Sequence, residues 1–186
     1  MQGDGELPGR VEEAALPALL GAIGGADESL RKGAAWVLGT ARELILAPKT
    51  GQVVPTLIEA LKNPDAGVQR AAIRALGWIG DATGVSSLIG MLNTDANPTV
   101  RREVAEALGK LANPLAIPDL IKAADDTQES VRYAAAWALG RIGDRQAVVP
   151  LSRRLKDDSR RVRRAAARAL GWIGDETGLP ALLDVL

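Results

Sequence analysis

Val131-Arg132-Tyr133-Ala134-Ala135-Ala136-Trp137-Ala138-Leu139-Gly140-Arg141-Ile142-Gly143-Asp144 is the stretch on which the fold turns. Counted from Gly140, its apolar or small residues fall at −9, −6, −5, −2, −1 and +2, the three-and-four stepping of an amphipathic helix. Its closing phrase, Ala-Leu-Gly-x-x-Gly-Asp, recurs along the chain. The first glycine of each copy falls at Gly39, Gly77, Gly109, Gly140 and Gly171, in steps of 38, 32, 31 and 31 residues. A fixed period of this size marks a stacked repeat array, in which each unit covers the apolar side of its neighbour.

Each copy predicts two helices. The first, helix A, begins after polar turns suited to capping free amides: Asp27 to Ser29, Asn63 to Asp65, Thr94 to Thr99, Asp125 to Ser130 and Asp157 to Ser159. Gly80, Gly143 and Gly174 supply the left-handed residue that stops it, and Asp81, Asp144 and Asp175 cap the next helix. The third copy has Ala112 and Asn113 there, so its turn is expected to differ. Helix B carries leucines four apart, as at Leu88 and Leu92 or Leu151 and Leu155, with Pro55, Pro118, Pro150 and Pro180 in its first turn, where a missing N–H costs nothing. Residues 1–10 read as a flexible tail and 11–186 as one solenoid domain. Val11 to Ile23 reads as a lone helix B, and Ala41 to Ala47 extends the first helix A by about two turns.

Composition narrows function. The 186 residues hold 23 basic and 23 acidic side chains, so electrostatics must act through local asymmetry. Cysteine and histidine are absent, which removes disulfides, Cys/His zinc sites and His-dependent triads. No catalytic, cofactor-binding or metal-binding residue is assigned; Asp125-Asp126 and Asp157-Asp158 read as caps. No stretch reaches the roughly 18 unbroken apolar residues of a membrane span, and no signal sequence opens the chain, so the expected location is cytoplasmic.

The Val131 to Asp144 copy, continued by Ala147-Val148-Val149-Pro150-Leu151, resembles the short HEAT-like repeats named after phycobilisome lyases, a likeness covering about residues 11 to 186. The resemblance implies an all-α, right-handed superhelix of about five helix pairs plus an N-terminal half-repeat, with helices B lining a concave partner-binding side. The family's members include protein-interaction scaffolds, bilin lyase subunits, a metal-dependent hydroxylase and alkylpurine DNA glycosylases. The hydroxylase needs histidine ligands that this chain lacks.

Three surfaces are candidates for binding. On the concave side the residues are Thr56, Glu59, Ser87, Met91, Asp119, Lys122, Arg153 and Arg154, small and nearly neutral until the last two, which fits a protein or peptide better than phosphate. On helix A, positions −7, −3 and +1 form one stripe holding every aromatic residue: Trp36, Trp78, Tyr133, Trp137 and Trp172. These rings either lie over the alanines and seal the seams between repeats, or form a ladder for a partner. Third is the run Arg153 to Arg168, with Arg160, Arg161, Arg163, Arg164 and Arg168 as its core. It reads either as a solvated turn paired with neighbouring aspartates or as a patch for an acidic protein or a nucleic-acid backbone. The apolar end, Leu179 to Leu186, is read as the cut edge of a longer array, a self-associating face, or a helix covered by the preceding repeat.

Overall fold

Gly140 sits inside a helix, and a β-carbon added to it would lie 2.6 Å from both Cα and Cβ of Ala169 on the next long helix. That close approach recurs and organises the architecture. The computed structural model describes residues 15–25, 27–30, 33–34, 37 and 53–184. The tail 1–10, the extension 41–47 and Trp36 lie outside them. The described residues are all-α, in two compact units, Met1–Ala75 and Leu76–Leu186.

In the first unit α1 (Ala15–Gly24) packs against α2 (Val53–Ala60), burying Ile23, Val53, Val54 and Leu57. The next helix, α3 (Ala66–Ile79), starts where Asp65 accepts hydrogen bonds from the amides of Gly67 and Val68, satisfying donors that the first turn leaves free. It runs on into the second unit.

There, α4 (Val85–Thr94), α5 (Pro98–Leu111), α6 (Ile117–Ala123), α7 (Glu129–Ile142), α8 (Val148–Arg154), α9 (Arg160–Ile173) and α10 (Leu179–Leu183) alternate short and long. The long helices are the A helices, and α5 packs on α7 and α7 on α9. Helices α4, α6 and α8 pack beneath α5, α7 and α9 respectively. Between the layers lie Leu88, Val104, Leu108, Leu120, Val131, Leu139, Leu151, Val162 and Leu170, all buried.

Small residues allow the A helices to touch. Cβ atoms built on Gly77, Gly109 and Gly140 would fall 2.9, 2.8 and 2.6 Å from Cα of Ala107, Ala138 and Ala169. The first glycine of the motif is therefore a helix-crossing contact, whereas the second, with φ of 77°, 78° and 67° at Gly80, Gly143 and Gly174, is the left-handed stop. Asp81, Asp144 and Asp175 accept from the amides of Thr83, Gln146 and Thr177, opening a single 3₁₀ turn before each B helix.

The third copy departs from expectation. Its turn keeps the same form: Ala112 adopts the left-handed conformation at φ 49° and Asn113 accepts from the Leu115 amide. Asparagine offers the same acceptor as aspartate, and the strain at Ala112 costs about 1 kcal/mol, less than rebuilding the turn.

Candidate partner-binding surfaces

Eight residues before each of Gly109, Gly140 and Gly171 stands an arginine, and one turn earlier an aspartate: Arg101, Arg132 and Arg163; Asp95, Asp126 and Asp157. These build a clasp between successive turns. Arg101 donates through Nη1 to the carbonyls of Asp95 and Ala96, and through Nε and Nη2 to both carboxylate oxygens of Asp126 at 2.8 and 3.0 Å. Arg132 repeats the pattern, donating to the carbonyls of Asp126 and Thr127 and to Asp157 at 2.9 Å twice, with Asp158 added at 2.5 Å. Side-chain exposure is 11% at Arg132 and 3% at Asp157, so the planar, two-pronged geometry is what makes burying the pair tolerable. Burial pushes the Asp157 carboxyl up, but the bonds from Arg132 and the Ser159 amide outweigh it and hold the group at about 2. The clasp is absent from the sequence expectations; the parallel 31-residue recurrence of arginine and aspartate is the signal that carries it.

The arginine run from 153 to 168 separates into three parts. Arg154 pairs with Asp125 at 2.9 Å and donates to the Ala124 carbonyl, and Lys156 pairs with Asp184 at 2.7 Å. Arg163 holds the carbonyls of its own turn, Asp157 and Asp158. Arg160, Arg161, Arg164 and Arg168 are exposed, and none of them has an acidic partner among the described residues.

Arg161, Arg164 and Arg168 share one face of α9 and line a cavity of about 250 Å³ with Tyr133, Trp137, Ala165 and Trp172. Arg161 lies 5.2 Å from the Tyr133 ring centre and Arg141 5.8 Å from that of Trp137, distances at which a guanidinium is attracted to a ring face. Trp137 and Trp172 also cover the crossing glycines: their ring carbons would meet a β-carbon on Gly109 at 2.6 Å and on Gly140 at 2.9 Å. Trp78, under Lys110 at 5.4 Å, is half-buried, as are Tyr133 and Trp137, while Trp172 is 52% exposed. The stripe thus joins its last three aromatics to the basic face in one place.

The helix B row is electrically quieter. Glu59 pairs with Lys62 at 2.9 Å, and with Thr56 and Ile23 these line a hollow of about 260 Å³ in the first unit. Ser87 and Met91 are half-buried on α4. Asp119 accepts from Lys122 at 2.9 Å and Asn93 at 3.0 Å; burial raises its pKa, and these bonds more than reverse the effect. Arg153 alone in this row is an exposed cation with no acidic partner among the described residues. No described helix is long and apolar enough to cross a membrane.

The model of HEAT repeats matches residues 16–109, 54–139, 86–158 and 117–186. This chain belongs to the HEAT repeat family. A search of the curated proteins found no match. Among solved structures it is similar to a chain of the CpcE–CpcF complex of phycocyanin lyase from Nostoc sp. PCC7120, at 28% identity and TM-score 0.76, covering 98% of this chain and 74% of that one. An engineered protein of a structural genomics consortium matches at 26% identity and TM-score 0.70, over 92% and 85% of the two chains. A designed armadillo repeat protein in complex with the peptide (KR)4 matches at 22% identity and TM-score 0.72, over 86% and 82%, a likeness of fold. The HEAT-repeat chain is a helical scaffold of the kind used for protein binding.

Proposed function

We propose that this HEAT-repeat module is a non-enzymatic, cytoplasmic interaction scaffold that holds an acidic protein segment in the groove between α7 and α9. The supporting observation is the placement of Arg161, Arg164 and Arg168, unneutralised, against Tyr133, Trp137 and the half-exposed Trp172. Guanidinium groups meet carboxylates in two-pronged pairs, and tryptophan, tyrosine and arginine are the residue types that concentrate interface energy. The three arginines span seven residues of helix, about 10 Å of rise, so acidic side chains spaced along a partner helix or strand can meet them in turn.

Isothermal titration with a glutamate-rich peptide carrying one phenylalanine tests this reading. Saturable binding should weaken with salt and fall at least about tenfold in Arg164→Glu/Arg168→Glu, one charge pair being worth roughly 1.4 kcal/mol at a partly desolvated site. Equal affinity of the variant, or preference for random duplex DNA over the peptide, would remove it. A second reading places a peptide along the helix B row of the second unit, Ser87, Met91, Asp119, Lys122, Arg153 and Arg154. Its support is the uncompensated charge of Arg153 and the peptide complex of the armadillo neighbour. Arg153→Glu separates the two sites, since the α7–α9 groove does not include it.

A further inference from the structure

The second clasp has an arginine laid against it, and the first has a hollow. Arg154 of α8 places Nη1 3.3 Å from the Ala124 carbonyl and 3.7 Å from Asp157 Oδ2, with Nη2 2.9 Å from Asp125. The residue 31 places earlier, on α6, is Ala123, which ends in a methyl group. Beside it, against the Arg101–Asp126 pair, lies a cavity of about 250 Å³ lined by Asn93, Asp95, Arg101, Lys122, Ala123 and Asp126. Advanced by 31, these residues are Ala124, Asp126, Arg132, Arg153, Arg154 and Asp157, the very set that forms and surrounds the covered clasp. Exposure follows the cover: 13% at the Asp126 side chain against 3% at that of Asp157.

The acceptors that hold Arg154 have counterparts at the hollow. The Asn93 carbonyl replaces that of Ala124; it belongs to the last turn of α4, where the helix itself offers no donor. Asp126 replaces Asp157. Thr94 stands where Asp125 does, but Asp95 brings a second carboxylate, which accepts from the Asn97 amide at 2.8 Å and from no arginine among the described residues. Lys122 is held by Asp119 at 2.9 Å, so the hollow and its rim set three carboxylates against two cations.

We propose that this hollow receives an arginine side chain of a partner protein, whose guanidinium takes the place that Arg154 fills at the next junction. One carbonyl and two carboxylates suit a flat fork of several N–H groups better than the point charge of an ammonium. None of the lining residues belongs to the α7–α9 groove, so the site is independent of the acidic segment assigned there. Lys122 does belong to the helix B row, and a peptide along that row is the segment that would carry the arginine.

Titration of Nα-acetyl-arginine amide into the whole chain, followed by amide NMR shifts, tests the site without any such peptide. Saturable shifts should appear at Asn93, Ala123 and Asp126, with a Kd on the order of 10 mM. The citrulline analogue, which keeps the shape and lacks the charge, should give none. Ala123→Arg supplies the cover from within, and should abolish the shifts while raising Tm. Asp95→Asn keeps the acceptor that the turn needs, and should weaken binding about two- to fivefold. Equal shifts from citrulline, no shifts from the arginine probe, or undiminished binding in Ala123→Arg would overturn the proposal. Tighter binding of free L-arginine than of the blocked residue would overturn a protein as its source.

Discussion

Between α5 and α7, as between α7 and α9, a glycine crosses an alanine, a tryptophan covers the crossing, and an arginine clasps the next aspartate. The charge laid over these matching junctions differs. On α5, Arg102 is neutralised by Glu106 at 2.5 Å and Glu103 at 3.2 Å. On α9 the equivalent stripe is Arg164 and Arg168, with Arg161 beside them and no carboxylate among the described residues. Packing rules are common to both junctions; of the two, the cationic groove belongs to the one between α7 and α9, and an attribute that varies over a constant scaffold is where recognition is to be sought.

The largest effect separates the two clasps. Asp157→Ala should cost about 3 kcal/mol, because it strands a buried guanidinium, and Asp126→Ala nearer 2 kcal/mol, its pair being more exposed at 16% and 13%. Urea unfolding of both variants checks this, and equal losses would show that burial does not set the difference. Acid comes next. The folded pKa of Asp157, about 2, lies below its ordinary 3.8, so its stabilising contribution is complete above pH 4 and is lost as pH falls through 2. The loss of about 2 kcal/mol should appear in melting curves over that window and vanish from them in Asp157→Asn. Smallest is the glycine pair. Gly140→Ala forces a β-carbon to 2.6 Å from Ala169 and should destabilise by about 1 kcal/mol net of its helix propensity, whereas Gly171→Ala, facing open space, should stabilise by about 0.5 to 1 kcal/mol. A matching loss at Gly171 in thermal melts would mean that crowding is not what distinguishes them.

Local chemistry is legible in the sequence. Glycine at 80, 143 and 174 and aspartate at 81, 144 and 175 mark their turns because one residue's backbone freedom and one side chain's reach decide the outcome. Ala112 misleads for the same reason: as a single residue it disfavours the left-handed region, yet it adopts it where Asn113 caps the turn that follows. What distance hides is pairing. Gly109 meets a residue 29 positions away and Arg132 one 25 away, so their roles emerge only when two periodic series are laid against each other. The basic run divides between its two readings, since Arg154 and Arg163 are spent on neighbouring turns while, among the described residues, Arg161, Arg164 and Arg168 line the groove.

Each clasp has a consequence for how the molecule comes apart. The guanidinium of Arg132 is bound at once to the turn that precedes its own helix and to the turn that precedes α9, so neither neighbour can melt without stranding a cation that the other still holds. Such bonds belong to the coupling between units rather than to any unit's own stability, and in a one-dimensional array it is the coupling that sets the length over which unfolding is all-or-none. Weakening one clasp should therefore broaden the transition as well as shift it, dividing a cooperative block at the junction where the arginine stood.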